Sequence, residues 1–191
     1  MAWIDAEYAN EVAVLTTWLG TFLPWSVSFT DEAPAESWLY FVRVAAFDLQ
    51  IRFPPEVTVD GSVVDAGVPE MLAAEYGGVS LLGNVHLVLP PTRLGSVAGP
   101  AWTAYLLWTA AMGVSLALLV LSVLTYAREE MVARRLPIGY VRATAIGFGL
   151  LTVLLSGATV AFSQSDGAYG LPVPIGVVLF GVFAIMLWRA S

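Results

Sequence analysis

An uncharged stretch over residues 94–127 constrains the fold of this chain more than any other feature of its sequence. Its centre, residues 111–124, is almost wholly apolar, and the stretch ends abruptly at Arg128-Glu129-Glu130. About 20 apolar residues are enough to cross the hydrocarbon core of a bilayer, so this stretch is long enough to span a membrane. We therefore expect a membrane protein, with the remainder of the chain arranged around this span.

The composition agrees with a membrane location. Hydrophobic residues make up 58% of the chain and charged residues 12%, whereas a soluble domain has about 45–50% apolar and about 25% charged residues. The apolar residues are also clustered into four charge-free runs, at residues 12–30, 101–127, 143–163 and 171–188.

These runs predict an all-α fold, a four-helix transmembrane bundle with a small β-rich extracellular domain inserted between helices 1 and 2. Residues 1–30 would form a cytoplasmic tail and the first helix, residues 31–100 the extracellular cap, and residues 101–191 the other three helices. Ala33-Pro34-Ala35 resembles a signal-peptidase site. Because no basic residues precede it, an uncleaved anchor is the expectation.

A strictly alternating segment over residues 47–53 predicts a strand within the cap. Its apolar side chains, Phe47, Leu49, Ile51 and Phe53, are expected on the inner face. Residues 38–44 are rich in aromatic and β-branched types. They form either another strand or the first part of the same strand, interrupted by a bulge at Ala45-Ala46.

Three further elements are predicted in the cap. Asp60-Gly61 favours a hairpin turn, because this dipeptide accepts the positive φ angles of a type I′ turn. Residues 69–76 are compatible with two helical turns. Residues 85–89 would form the last strand before Pro90-Pro91.

The distribution of arginine predicts the orientation in the membrane. Half of the eight basic residues lie in the predicted loop at 128–142, namely Arg128, Arg134, Arg135 and Arg142. The positive-inside rule places this loop in the cytoplasm, so that both termini are cytoplasmic and the cap is outside. The four side chains either bind anionic lipid headgroups or only set the topology, with Glu130 and Arg134 paired at i, i+4.

Small residues at a spacing of four predict close helix contacts. Gly113 and Ala117 have this spacing in the second span, while Gly147 and Gly149 follow Ala143 and Ala145 at the same spacing in the third. Small residues let helix backbones approach in a bilayer. The contacts lie either within one bundle or between copies of the chain in a homo-oligomer.

Enzyme chemistry finds little support in the sequence. The chain has no cysteine and one histidine, His86, whereas metal sites and catalytic triads need several such partners. The adjacent carboxylates Asp31-Glu32 and Glu129-Glu130 are poorly placed for acid–base work, because neighbouring residues do not face one another on a helix. No catalytic residue, metal site or cofactor is predicted, and the net charge of −7 disfavours nucleic acid.

The expected function is structural. No ionisable residue occurs within the four predicted spans, although transport and membrane-embedded catalysis usually require such residues. We expect an accessory subunit, or a lateral-assembly or adhesion element, with an acidic external cap and a homo-oligomer or a larger membrane complex as partner. A small transporter or channel component that acts as an oligomer is the alternative.

Two resemblances add to this interpretation. Leu-Pro-Trp-Ser-Val-Ser at 23–28, Phe-Val-Arg at 41–43 and the following Gln50-Ile51-Arg52 resemble small tetraspan membrane proteins of halophilic archaea, which imply no known function. Leu23-Pro24-Trp25 and Trp38-Leu39-Tyr40, with the predicted order of spans and loops, are similar to the claudin-like tetraspan proteins. That resemblance implies lateral assembly or adhesion, but the cysteine pair of the claudin loop and its full glycine–leucine–tryptophan motif are missing here.

Overall fold

The computed structural model describes residues 8–32, 37–53, 56–59, 62–65, 79–82, 85–165 and 170–191. Within these residues the chain forms four α-helices and seven strands. The helices are α1 (Ala9–Phe22), α2 (Gly99–Arg135), α3 (Tyr140–Ser163) and α4 (Ile175–Ala190). The strands are β1 (Pro24–Glu32), β2 (Ser37–Val44), β3 (Asp48–Phe53), β4 (Glu56–Val59), β5 (Ser62–Asp65), β6 (Val79–Leu82) and β7 (Val85–Val88).

Five of the strands form one antiparallel sheet in the order β1-β2-β3-β7-β6, and β4 pairs with β5 in a separate two-stranded sheet. The segments predicted at 38–44 and 85–89 are thus confirmed as strands, and β2 is a strand distinct from β3. The strands on either side of Asp60-Gly61 pair as predicted. The turn itself and residues 69–76 lie outside the described residues.

The prediction of an all-α four-helix transmembrane bundle is wrong, and the first reason is the sheet. The apolar run at 12–30 is not one helix, because α1 ends at Phe22 and β1 begins at Pro24. A residue before proline is disfavoured in helical conformation, and Leu23 is extended at ψ 132°. Beyond Pro24 the sequence alternates apolar residues with small polar residues, which is the period of two that a strand requires.

The second reason is helix length. Among the helices of the described residues, α2, with 37 residues, and α3, with 24, are the two that are long and apolar enough to cross a membrane. Helix α1 has 14 residues and α4 has 16. At 1.5 Å per residue they are about 21 Å and about 24 Å long, less than the roughly 30 Å of a hydrocarbon core.

Helix α2 also extends through most of the segment that was predicted as a cytoplasmic loop. It is kinked at Arg128, which has non-helical angles of φ −150° and ψ 57°, and it then continues to Arg135. The chain reverses between α2 and α3 at Gly139, whose φ of 76° disfavours other residue types.

The prediction for the inner face of the sheet is wrong as well. Asp48 and Gln50 are buried, at 0% and 3% exposure, whereas Phe53 is 61% exposed and Leu49 and Ile51 are half-buried. Strand β3 therefore turns its polar side chains toward the helices. The physical reason lies on the neighbouring strands, which supply polar and charged partners for these side chains.

The helices fix two distinct ends of the molecule. At the sheet end, Val173 pairs with Val27 of β1, and the backbone of Gly176 lies close to Pro24. The opposite end, here called the arginine end, joins the start of α1 to the end of α2 through a 2.8 Å hydrogen bond from Asn10 to Glu129. It also brings Arg142 of α3 over the ring of Trp188 of α4, 5.3 Å from the ring centroid.

Candidate functional site

A buried polar face of the five-stranded sheet is the most unusual site in the described part of the chain. Ser26, Arg43 and Asp48 are neighbours across β1, β2 and β3, while Gln50 is paired with His86 across β3 and β7. Each of these residues is at most 4% exposed. Charged side chains are almost never fully buried unless they are paired. We call these five residues, with Ser28 and Arg93, the junction cluster.

Arg43 connects the sheet to α3. Its Nη1 donates a 2.9 Å hydrogen bond to Oγ of Ser28. Its guanidinium carbon lies 4.8 Å from the ring centroid of Phe41 on the same strand and 4.5 Å from that of Phe162 on α3. A planar guanidinium is well suited to stack on aromatic faces. The buried charge therefore contributes to holding the sheet against the helices.

Asp48 supplies the negative charge of the junction cluster. Gln50 Nε2 donates to its Oδ2 at 3.0 Å. Burial raises the pKa of Asp48, while the positive charge of Arg43, the bond from Gln50 and the positive charge of Arg93 act in the opposite direction. Arg93 itself lies 5.8 Å from the ring centroid of Tyr105 on α2. One carboxylate thus faces cations from two different parts of the chain.

Aromatic residues surround these charges on the helix side. Trp108 of α2 packs edge-on against Trp25 of β1 at 5.3 Å and is stacked with Tyr105 at 5.8 Å. Its indole Nε1 donates to the carbonyls of Val44 and Ala45, both at 3.1 Å. Helix α2 therefore holds the turn between β2 and β3 in place through a single side chain.

His86 is buried without a hydrogen-bond partner for either ring nitrogen within the described residues. Burial lowers the pKa of His86, and the positive charge of Arg52 lowers it further. Both effects favour the neutral form of the ring. No group of three or more metal-ligating side chains occurs around it or elsewhere in the described part of the chain.

The residues predicted from the sequence lie elsewhere. Arg128, Arg134, Arg135 and Arg142 are at the arginine end, where the predicted pair of Arg134 with Glu130 has an N–O distance of 4.0 Å. This pair is highly exposed on both sides, so it contributes little to stability.

The small residues divide into two groups. A side chain on Gly147 would meet Leu118 of α2 at 2.6 Å, so the glycine permits the close approach of α2 and α3. A side chain on Gly113 or Gly149 would meet nothing within 4 Å, and Ala117 is exposed on α2. None of these residues is part of the junction cluster.

The junction cluster was not predicted from the sequence, because its members are far apart in the chain. One available signal was Arg93, a charge placed directly before the uncharged stretch. A second was the presence of Arg43 in the otherwise apolar segment 38–44. Together the residues of the junction cluster form a contact between sheet and helices in which opposite charges face each other and aromatic rings surround them. They include no nucleophile activated by a base.

Comparison with known proteins places the chain in a family. A family model described as a family of unknown function (DUF7549) matches residues 2–191, so the chain belongs to this family. No curated protein and no solved structure shows a significant match to it.

Proposed function

We propose that this chain is a membrane protein of structural type, in which α2 and α3 cross the bilayer and the five-stranded sheet forms a cap outside. One observation carries the proposal. In the most apolar 18-residue windows of α2 and α3, only 28% and 44% of the residues are buried. The core helix of a soluble protein would be mostly buried, whereas these helices turn most of their apolar side chains outward.

The outward side chains form an apolar belt around the helices. Exposures reach 59% for Val120 on α2 and 69% for Val153 on α3, and the short helices contribute Leu15 at 68% and Val178 at 66%. A patch of this extent on a monomer in water would mark an interaction or membrane surface. Contact with lipid requires no further partner, so a bilayer accounts for the whole belt.

The arginine end is assigned to the cytoplasm in this proposal. Arg128, Arg134, Arg135, Arg142 and Arg189 are five of the eight basic residues, and they all belong to the helix segments at this end. The positive-inside rule favours the cytoplasmic side for such a cluster. The start of α1 and the end of α4 lie at the same end of the helical layer.

A non-catalytic role is supported by where the charges are. Between its ends the helical layer has no Asp, Glu, Lys, Arg or His, over residues 99–127, 143–163 and 175–188. The buried charges are confined to the junction cluster, where they connect the cap to the helices. We therefore propose that the protein acts through contacts that its helices make within the membrane, carrying the cap in a fixed position.

Single cysteines test the topology cleanly, because the native chain has none. Gly95→Cys lies in open space near the sheet, and Ala133→Cys is exposed at the arginine end. An impermeant thiol reagent applied to intact cells should label only Gly95→Cys. The protein should also stay in the membrane fraction after alkaline extraction. Release by alkali, or labelling of Ala133→Cys on intact cells, would contradict the proposal.

A further inference from the structure

A groove runs between α1 and α2 at the arginine end of the molecule. It encloses about 820 Å³ and is lined mainly by Asn10, Glu11, Leu15, Trp18, Tyr126 and Glu129. Trp18 closes its inner end by donating a 3.0 Å hydrogen bond from Nε1 to Ser122 Oγ. The groove is therefore acidic at its mouth and apolar along its length.

A ridge on α4 has the opposite character. Val178, Val182 and Ile185 are 66%, 51% and 59% exposed, and at spacings of four and three residues they lie on one face of the helix. Arg189 continues the same face at the end of α4 and is exposed. β-Branched side chains have one strongly preferred rotamer in a helix, so they lose little conformational entropy when they pack.

Along the helix axis, the groove matches in length the part of the ridge nearest the arginine end. From Glu11 to Trp18 the groove extends for seven residues of α1, and the ridge from Arg189 to Val182 covers seven residues of α4. Each distance is about 10 Å along a helix axis. Since both elements reach the arginine end, two copies inserted in the same orientation would present them at the same height in the bilayer.

The charges also match. Glu11 and Glu129 form the mouth of the groove, and Arg189 is the last charged residue of the ridge. An arginine can bind a carboxylate through two parallel hydrogen bonds. In lipid, helices associate through packing and polar contacts rather than the hydrophobic effect. A ridge that is apolar over two turns and cationic at its end therefore complements a groove that is apolar along its length and acidic at its mouth.

We propose that the groove between α1 and α2 binds α4 of a second copy of this chain, with Arg189 of that copy placed between Glu11 and Glu129. This inference rests on the proposed membrane embedding, which sets the copies at a common depth. Groove and ridge are different surfaces, so the contact is heterologous. Each copy offers both surfaces, and repetition of the contact gives either a closed ring or a row of copies in the membrane.

Cross-linking between two differently tagged copies tests the contact directly. One copy carries Leu15→Cys and the other Ile185→Cys, and both are oxidised in membranes. The mixed pair should form a disulfide, whereas Leu15→Cys with itself should not. Val153→Cys is the matched control for Leu15→Cys, because Val153 is as exposed, at 69%, but lies on α3. A mixed yield no higher than with this control, or dominant pairing of Ile185→Cys with itself, would overturn the proposal.

A charge exchange provides the second test. Arg189→Glu should lower the cross-linked fraction about fivefold, the scale of an exposed ion pair and its reversal. Combining Arg189→Glu in the Ile185→Cys copy with Glu11→Arg in the Leu15→Cys copy should restore it. Arg135→Glu, another exposed arginine at the same end, should have no effect. Equal loss with Arg135→Glu, or no rescue by the exchange, would contradict the pairing.

Membrane embedding and the contact between copies are distinguished by different results. If alkaline extraction releases the protein, the proposed membrane embedding is wrong. If the protein remains in the membrane but the mixed cross-link is absent, only the contact between copies is wrong.

Discussion

The guanidinium of Arg43 lies over the ring of Phe162, 4.5 Å from its centroid, and so joins the second strand of the sheet to the end of α3. The two residues are far apart in the sequence and lie on different elements, Arg43 on β2 and Phe162 on α3. The arrangement places a positive charge in a fully buried position, where it faces the carboxylate of Asp48. Sheet and helices are thereby connected through a buried charge, and removing that charge alone should lower the stability of the protein.

Arg43→Leu should destabilise the protein strongly, because it leaves Asp48 buried opposite one cation fewer. Removal of one partner of a buried ion pair typically costs about 3–5 kcal/mol. The free energy of unfolding can be measured by denaturant titration in detergent. Arg134→Leu, which removes an exposed pair, should change it by less than about 1 kcal/mol. The double variant Arg43→Leu with Asp48→Asn should recover part of the loss, and full additivity of the two changes would contradict the pairing.

The indole of Trp108 should matter through its hydrogen bonds as well as its size. Trp108→Phe leaves the buried carbonyls of Val44 and Ala45 without this donor, a change that costs about 1–3 kcal/mol. Trp102→Phe is the matched control, because Trp102 is 42% exposed on the same helix. Thermal unfolding of the two variants should differ clearly. Comparable effects would mean that the hydrogen bonds from Trp108 to the turn between β2 and β3 do not contribute to stability.

Much of the helical part could be predicted from the sequence, because long uncharged runs have few alternatives. Helix α3 begins within three residues of the predicted start, and strands β2, β3 and β7 lie where aromatic and β-branched residues cluster. The first strand was missed because residues 12–30 carry no charge. The absence of charge hid the change from helical to alternating periodicity at Pro24.

The buried polar face was beyond prediction for a different reason. Alternation in one strand shows that two faces differ, but it does not show which face is covered. Apolar residues usually lie inside, and this favoured Leu49 over Gln50. The opposite outcome depends on Arg43, His86 and Arg93, which only the folded sheet brings into proximity. A site assembled from distant residues leaves no local pattern.

The neutral state of His86 makes stability depend on pH. Its pKa is lowered in the folded protein, so the unfolded chain binds the proton more readily, and stability rises with pH through this range. As the pH falls below about 6.5, the ordinary value for histidine, the protein should lose stability. In His86→Gln this contribution is absent, so the wild type should lose stability relative to the variant as the pH falls from about 7 to about 5. A difference that stays constant over that interval would show that the imidazole is not held neutral by burial.

The two glycines predicted to support helix contacts should respond differently to leucine. Gly147→Leu forces a side chain into Leu118, whose Cδ2 lies 2.6 Å from the position of the first added carbon. Overpacking of this kind typically costs about 1–3 kcal/mol, and it should separate α2 from α3. Gly113→Leu adds its side chain in open space on the same pair of helices, so it should leave the stability of the monomer in detergent nearly unchanged.

Gly113→Leu can still disturb association in the membrane if the exposed face with Gly113 and Ala117 contacts another copy. Thermal unfolding in detergent and cross-linking of the Leu15→Cys and Ile185→Cys pair separate the two effects, because the groove and the Gly113 face lie on opposite sides of α2. Destabilisation by Gly113→Leu equal to that by Gly147→Leu would contradict the close packing of α2 and α3 at Gly147.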